Sequence, residues 1–330
     1  MAFSGQQKTL FRRRLLGWYD RDARDLPWRR TRDPYAIWLS EIMLQQTRVA
    51  AVIEHYDEFL RRFPTVNALA RAKEAQVLAA WSGLGYYRRA RMLHAAARKV
   101  VRELDGEIPS TAATLRELPG IGRYTAAAIA SIAFGESAAV VDGNVERVLQ
   151  RITGQRLEGE RVWITANELL APRRPGDFNQ AMMELGATVC LPRGPLCLTC
   201  PLNPLCATRG ELPALEKMAR QKKRVIHYAL DWRENKVFLV QRPRDASLMA
   251  GMWELPELES RNGHDELFSV RHSITVTDYS VRVWRGAAAN RQGRWIPFTR
   301  LKQTALTGLA RKILRQAGLH KTTADLKYEK

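Results

Sequence analysis

"LPGIGRYTAAAIASIAF", Leu118 to Phe134, decides how this chain is read. A helix ends at Leu118–Pro119, Gly120-Ile121-Gly122 makes a tight turn, and a helix of small residues opens at once. Glycine permits left-handed backbone and close approach of a ligand. The free N–H groups at a helix start suit a phosphate. The stretch therefore predicts a helix-hairpin-helix over about 112–134, gripping nucleic-acid backbone through Gly120, Gly122 and Arg123 without reading sequence. An ordinary glycine-containing turn between helices is the plain structural alternative. The charge favours the first reading. The 330 residues, enough for two domains, carry 53 Lys and Arg against 34 Asp and Glu, a formal +19. Such a field attracts polyanions, nucleic acid first and an anionic membrane surface second. No apolar run approaches the roughly 18 residues of a spanning helix, so no membrane segment is expected. The first twenty residues lack an apolar core with a small-residue cleavage site and do not read as a secretory signal; a weak basic targeting element stays open.

Working outward, "VVDGNVERVLQR" follows the hairpin. Asp142 suits the N-cap of the helix it precedes, and can also face a groove beside the hairpin. Upstream lies "DPYAIWLSEIMLQQT", Asp33 to Thr47. Asp33 caps a helix whose first turn takes Pro34, and Ile37, Trp38 and Leu44 share one face. Glu41 sits on that same face. A carboxylate in an apolar stripe is expensive, so it is expected to be paired, protonated or functional. A buried ion pair, with Arg29 as partner, is the plain structural reading.

All four cysteines fall in "CLPRGPLCLTCPLNPLC": Cys190, Cys197, Cys200 and Cys206, spaced C-x6-C-x2-C-x5-C. Two disulfides have no secretory context to support them. Zinc sites more often use separated C-x2-C knuckles, and a compact run is closer to iron–sulfur ligation. Spacing alone leaves cluster, zinc and disulfides open.

The rest of the chain sorts into two parts. Helical periodicity runs through "AAVIEHYDEFLRRF", "EAQVLAAWSGL", "ARMLHAAARKVVREL" and "FNQAMMELGATVC", making residues 1–210 a helical domain with its cysteine loop at 190–206. A basic linker, 211–224, follows. From about Val225 the period changes, and "VIHYALDW", "KVFLVQRP", "DYSVRVWR" and "GRWIPF" read as strands before a closing helix in "ALTGLARKILRQAG". Residues 225–330 are thus a smaller α+β domain.

The helix-hairpin-helix, then "VDGNV", then this cysteine run is the order found in the endonuclease III superfamily of base-excision DNA glycosylases. "LPWRR…DPYAIWLSEIMLQQT", "WSGLGYYRRARMLH", "VVDGNVERVL" and "FNQAMMELGA" resemble the MutY-type adenine glycosylases within it, over nearly all of 10–210. The resemblance implies a mainly α, two-lobed domain with the active cleft between lobes, a 4Fe–4S cluster on the four cysteines, and Glu41 as the acid that protonates a departing adenine. It implies Asp142 as the anion beside the developing charge at C1′, with Arg29, Tyr124 and Asn144 in support. Gln45 and Gln46 match the family's wedge into the base stack, and Tyr86 its intercalating aromatic; a core tyrosine is the plain alternative. Lyase-competent relatives carry lysine where this chain has Tyr124, and a phenol cannot form their imine.

By the same resemblance the C-terminal domain is Nudix-like and reads 8-oxoguanine. "GMWELPELESRNGHDELF" lacks the clustered glutamates of a hydrolytic Nudix box, so recognition without hydrolysis is expected. The lesion-reading loop departs from the family: Ile274, Thr275 and Val276 stand where Phe-Ser-His is usual, and Thr275 keeps only the hydroxyl. The expectation is a monofunctional, monomeric, cytoplasmic, nucleoid-associated glycosylase acting on double-stranded DNA with A:8-oxoG or A:G mispairs. The rivals are a pyrimidine or mismatched-thymine glycosylase, a non-catalytic cluster protein that binds DNA, and a Nudix phosphohydrolase.

Overall fold

The computed structural model of the chain describes residues 3–212, 222–246, 248–258, 265–274, 277–286 and 292–319. Thr275 and Val276, and most of the expected linker, lie outside these. The described helices are α1 (Gly5–Asp22), α2 (Pro34–Leu44), α3 (Val49–Arg62), α4 (Val66–Arg71), α5 (Glu74–Ala80), α6 (Arg88–Glu103), α7 (Ala112–Leu115), α8 (Arg123–Ala133), α9 (Gly143–Thr153), α10 (Glu160–Leu169), α11 (Pro175–Thr188) and α12 (Gly308–Gln316). The strands are β1 (Lys222–Leu230), β2 (Trp232–Arg233), β3 (Lys236–Gln241), β4 (Trp253–Glu254), β5 (Glu257–Leu258), β6 (Glu266–Ile274), β7 (Thr277–Arg285) and β8 (Arg294–Pro297). None of the described helices is long and apolar enough to cross a membrane.

One compact unit comprises Met1–Arg71 and Met92–Leu215. In α1, α2, α7 and α9 a side chain satisfies a free N–H group at the helix start. Ser4 and Gln7 form a reciprocal box at α1. Asp33 Oδ1 accepts from Ala36 N at 2.7 Å, with Pro34 in the first turn of α2. One core joins Phe11 and Leu15 of α1, Val148 and Leu149 of α9, Phe178 and Leu185 of α11, and Leu202 of the cysteine loop. Elsewhere α2 packs on α3 and α8, and α11 on α8. The apolar stripe expected of α2 is corrected: every residue from Tyr35 to Met43 is buried, so the helix has no solvent face there. Leu44, assigned to the stripe, is only half-buried. The hairpin forms, α7 and α8 joined through Gly120 at φ 77°, but its first helix is shorter than read: α7 ends at Leu115, and turns carry the chain through Leu118 and Pro119. A Cβ at Gly120 would stand 2.5 Å from Met92 Cβ, so both the backbone angle and the space exclude larger residues.

The second unit comprises Ala72–Arg91 and Glu216–Lys330. Residues 72–91, counted with the helical domain from sequence, thus pack with the C-terminal part. The link is polar as well as apolar: Ser82 Oγ and Tyr87 Oη donate to the Leu306 carbonyl at 2.9 and 3.0 Å. One sheet runs β5-β1-β7-β6, with β1 parallel to β7 and the other pairs antiparallel. The other runs β2-β3-β4, with β8 also on β3. Val237, Leu239, Val281 and Val283 meet Leu309, Ile313 and Leu314 of α12 in the core. The four strands expected from sequence are present. β6 was not anticipated, because Glu266, Arg271 and His272 interrupt its apolar alternation. It forms by antiparallel pairing along β7.

Candidate active site

Helix α2 carries Glu41, 5% exposed, into the first unit's interior. Tyr124, in the first turn of α8, donates its hydroxyl to Glu41 Oε2 at 2.8 Å. The Tyr124 hydroxyl also lies 3.1 Å from Met183 Sδ of α11. Burial pushes the Glu41 carboxyl up to about 7; the Asp142 charge adds to this, against the Tyr124 hydrogen bond and the Arg29 charge. Burial, then the charges of Glu41 and Asp142, hold the Tyr124 phenol well above its ordinary range. Glu41 is thus a carboxyl that keeps its proton close to neutral pH, as a general acid needs to.

Asp142 caps α9, its Oδ1 accepting from Val145 N at 2.7 Å, so the bland reading holds. Its other oxygen accepts from Asn144 Nδ2 at 3.0 Å. Arg147 donates to Asn144 Oδ1 at 2.9 Å, to the Gly186 carbonyl at 2.6 Å and to the Cys190 carbonyl at 2.9 Å. A hydrogen-bonded path therefore runs from Asp142 to the cysteine loop. Gly186 allows it, since a Cβ there would stand 2.6 Å from Asn144 Cβ.

Arg29 does not pair with Glu41. It donates to Glu184 Oε2 at 2.8 Å, while Arg24 grips both oxygens of Glu184 at 2.7 Å. Burial would raise the Glu184 carboxyl, but these two arginines outweigh it and bring it to about 2. Sequence reasoning missed Glu184, Arg24, Met183 and Arg147. For Glu184 a signal existed: a carboxylate inside the apolar run of "FNQAMMELGA", the feature that singled out Glu41.

Other expected residues stand as follows. Gln45 donates to Thr125 Oγ1 at 3.2 Å and is partly buried. Gln46 is exposed with left-handed backbone, φ 54°, so of the pair it is the one presented outward. Arg123, expected to meet phosphate, is engaged within the protein. It forms a bidentate pair with Glu160 at 2.6 and 2.7 Å, and its guanidinium lies 4.0 Å from the centre of the Trp163 ring. Gly120 and Gly122 shape the hairpin, and a Cβ at Gly122 would meet nothing within 4 Å. Tyr86, 47% exposed, is no core residue and belongs to the second unit. Thr275 is outside the described residues.

The four cysteines are free and half-buried, and all line one cavity with Val148, Arg151 and Leu185. Arg151, itself buried, donates to Cys190 Sγ at 3.3 Å and to the carbonyls of Leu191 and Pro192. Burial, with the neighbouring thiols adding, pushes Cys200 up to about 11. Four thiols lining one cavity are a soft donor set that fits a metal group. Among the described residues no three His, Cys, Asp or Glu converge on a single-ion site.

Residues 39–169 match the HhH-GPD superfamily of base excision DNA repair proteins. Within that class the chain belongs to the adenine DNA glycosylase family. The Homo sapiens adenine DNA glycosylase is 53% identical over 226 residues, 64% of this chain and 41% of the human one. That of Buchnera aphidicola subsp. Schizaphis graminum is 32% identical over 265 residues, 76% of each chain. The chain spans about half the length of the mammalian relatives it matches. Among solved structures, a thermostable thymine-DNA glycosylase superposes with a TM-score of 0.59 at 32% identity, over 62% of this chain and 97% of that one.

Proposed function

We propose that this protein is a monofunctional adenine DNA glycosylase that removes adenine opposite 8-oxoguanine or guanine. The observation that carries the reading is Glu41: buried, held by the Tyr124 hydroxyl, and protonated near neutral pH. Adenine leaves poorly as an anion, so protonation at N7 lowers the barrier, and Glu41 supplies the proton. The base must leave the stack to reach this carboxyl. Asp142 provides fixed negative charge for the cation developing at C1′, oriented by Asn144 and by the backbone of α9. Two carboxyls in unlike settings, one buried against Tyr124 and one capping α9, divide the acid and anion roles, as in glycosidases. Tyr124 takes the place of the lyase lysine and orients Glu41 instead, so the abasic product stays unbroken.

Cys190, Cys197, Cys200 and Cys206 would hold a 4Fe–4S cluster, which ties the loop 190–206 together. The exposed hairpin meets DNA backbone through the N–H groups around Gly120 and Gly122, with Gln46 filling the vacated stack and Tyr86 stacking on a base. The C-terminal unit acts as a Nudix-like lesion reader through Thr275, and the protein works as a monomer on cytoplasmic DNA. Single-turnover assays on duplexes with A:8-oxoG, A:G, A:C and T:G, with and without alkali, test the reading. Adenine release from the first two, with strand breaks only after alkali, is expected. Release of thymine from T:G in preference to adenine would overturn it, as would alkali-independent cleavage.

A further inference from the structure

The loop between α5 and α6 is built to a purpose that neither α5 nor α6 requires. Gly83 and Gly85 have φ of 115° and 69°, and Tyr86, a bulky residue, is held at 46°. Side chains rarely take that conformation, and here the surroundings enforce it. Trp81 Nε1 donates to the Gly85 carbonyl at 3.2 Å. Arg89 donates to the carbonyls of Leu84 and Gly85 at 3.1 and 3.2 Å, and its guanidinium lies over both the Trp81 and Tyr86 rings. On either side of the exposed Tyr86, Ser82 and Tyr87 are buried, and both hydroxyls converge on the Leu306 carbonyl. That carbonyl is itself fixed. Leu306 bridges Trp253 of β4, and the next residue, Thr307, donates its N–H to the Trp253 carbonyl at 2.9 Å and caps α12.

We infer that Ser82 and Tyr87 are positioning residues, through which the C-terminal unit holds the Tyr86 ring out as a base-stacking platform. This rests on the proposed reading in which Tyr86 touches DNA. The C-terminal unit then contributes to nucleic-acid contact by anchoring residues 81–87, independently of any lesion-reading loop of its own. An exposed aromatic with arginine at its face is the chemistry of base stacking, and rigidity adds to it because no loop entropy is lost on contact.

The test uses the full chain carrying Glu41→Gln, so that the base is retained, and measures affinity for an A:8-oxoG duplex at fixed salt. Tyr86→Ala should weaken binding roughly ten-fold, one lost base stack. Ser82→Ala with Tyr87→Phe removes both anchoring hydroxyls and should weaken it several-fold. In a Tyr86→Ala background the hydroxyl deletions should cost nothing further, which a general structural role would not produce. Tyr87→Phe alone, nearly isosteric, keeps the cycle readable if the double variant folds poorly. Equal losses with and without the Tyr86 ring overturn the inference, and so does full affinity without the hydroxyls while Tyr86→Ala binds weakly. If Tyr86→Ala itself binds normally, the DNA contact at Tyr86 fails, and the anchoring role falls with it.

Discussion

Glu41 and Glu184 show how two buried glutamates of one unit come to opposite protonation states. Glu41 meets a phenol and an apolar helix and stays neutral to about pH 7; Glu184 meets two guanidiniums and ionises down to about 2. Between its ordinary value of 4.5 and about 7, folded Glu41 keeps a proton that the unfolded chain has released, so its contribution to stability falls as pH rises across that window. The loss is about 3 kcal/mol at full deprotonation. Glu41→Gln should therefore raise the melting temperature at pH 8 by a few degrees, read by calorimetry, while single-turnover excision falls to background and duplex binding survives. Near-wild-type excision by this variant would end the assignment of Glu41 as the acid. Excision by the native protein should decline as pH rises through about 7. Glu184 behaves conversely: its contribution is present above 4.5 and disappears as pH falls toward 2. Glu184→Gln strands Arg24 and Arg29 and should cost about 3–5 kcal/mol in chemical denaturation. It also leaves Arg29 free to favour ionised Glu41, so the alkaline limb of the rate profile should move to lower pH; an unmoved limb would show that Arg29 does not act on Glu41.

At the level of elements, α9 and the cysteine loop behave as one device. Asp142 caps the helix, Arg147 five residues later reaches Cys190, and Arg151 lies one helical turn further on, against the same loop. Metal analysis of the purified protein should find about four iron and four sulfide per chain, with a broad visible absorption. One zinc per chain and no iron would refute the cluster. Cys200→Ser should loosen the loop and weaken duplex binding more than it slows excision by protein already bound. The hairpin makes a separate prediction. Gly120→Ala meets Met92 and a left-handed backbone together, so it should weaken binding to any duplex, matched or mismatched, by a similar factor.

Across the whole molecule, the proposed function implies that the formal charge of +19 gives DNA binding a strong salt dependence and that the second unit sets discrimination. Each polar contact that pairs with an edge unique to the damaged base is worth roughly 1–3 kcal/mol. Thr275 retains the hydroxyl of the family's serine, and Val276 has no imidazole. A preference for A:8-oxoG over A:G should persist but be narrower than in relatives with Phe-Ser-His, and Thr275→Ser with Val276→His should widen it in single-turnover rates. An unchanged ratio would remove this loop from lesion reading. Deletion of the chain beyond about 221, a natural experiment on sequence grounds, would also strip Leu306 from Ser82 and Tyr87, so any loss it causes mixes lesion reading with disturbance of residues 81–87.

Much of this was legible without coordinates. Local signals are written in short stretches: the glycines of the hairpin, the caps Asp33 and Asp142, the cysteine spacing, and the change of period near Val225. The carboxylate at position 41 stood out because a charge among apolar residues is costly whatever the fold. Only the tertiary structure decided the partners. Arg29 goes to Glu184 and Arg123 to Glu160, because a long flexible guanidinium takes the nearest buried or well-aligned carboxylate, and nearness across 155 or 37 residues is set by helix packing. Residues 72–91 look like any amphipathic part of a helical domain, since periodicity marks which face is buried and not what buries it. The sequence by itself determined most of the elements and which residue types carry chemistry; packing alone buried Glu41 beside Tyr124 rather than an arginine, and that burial is why this carboxyl keeps its proton.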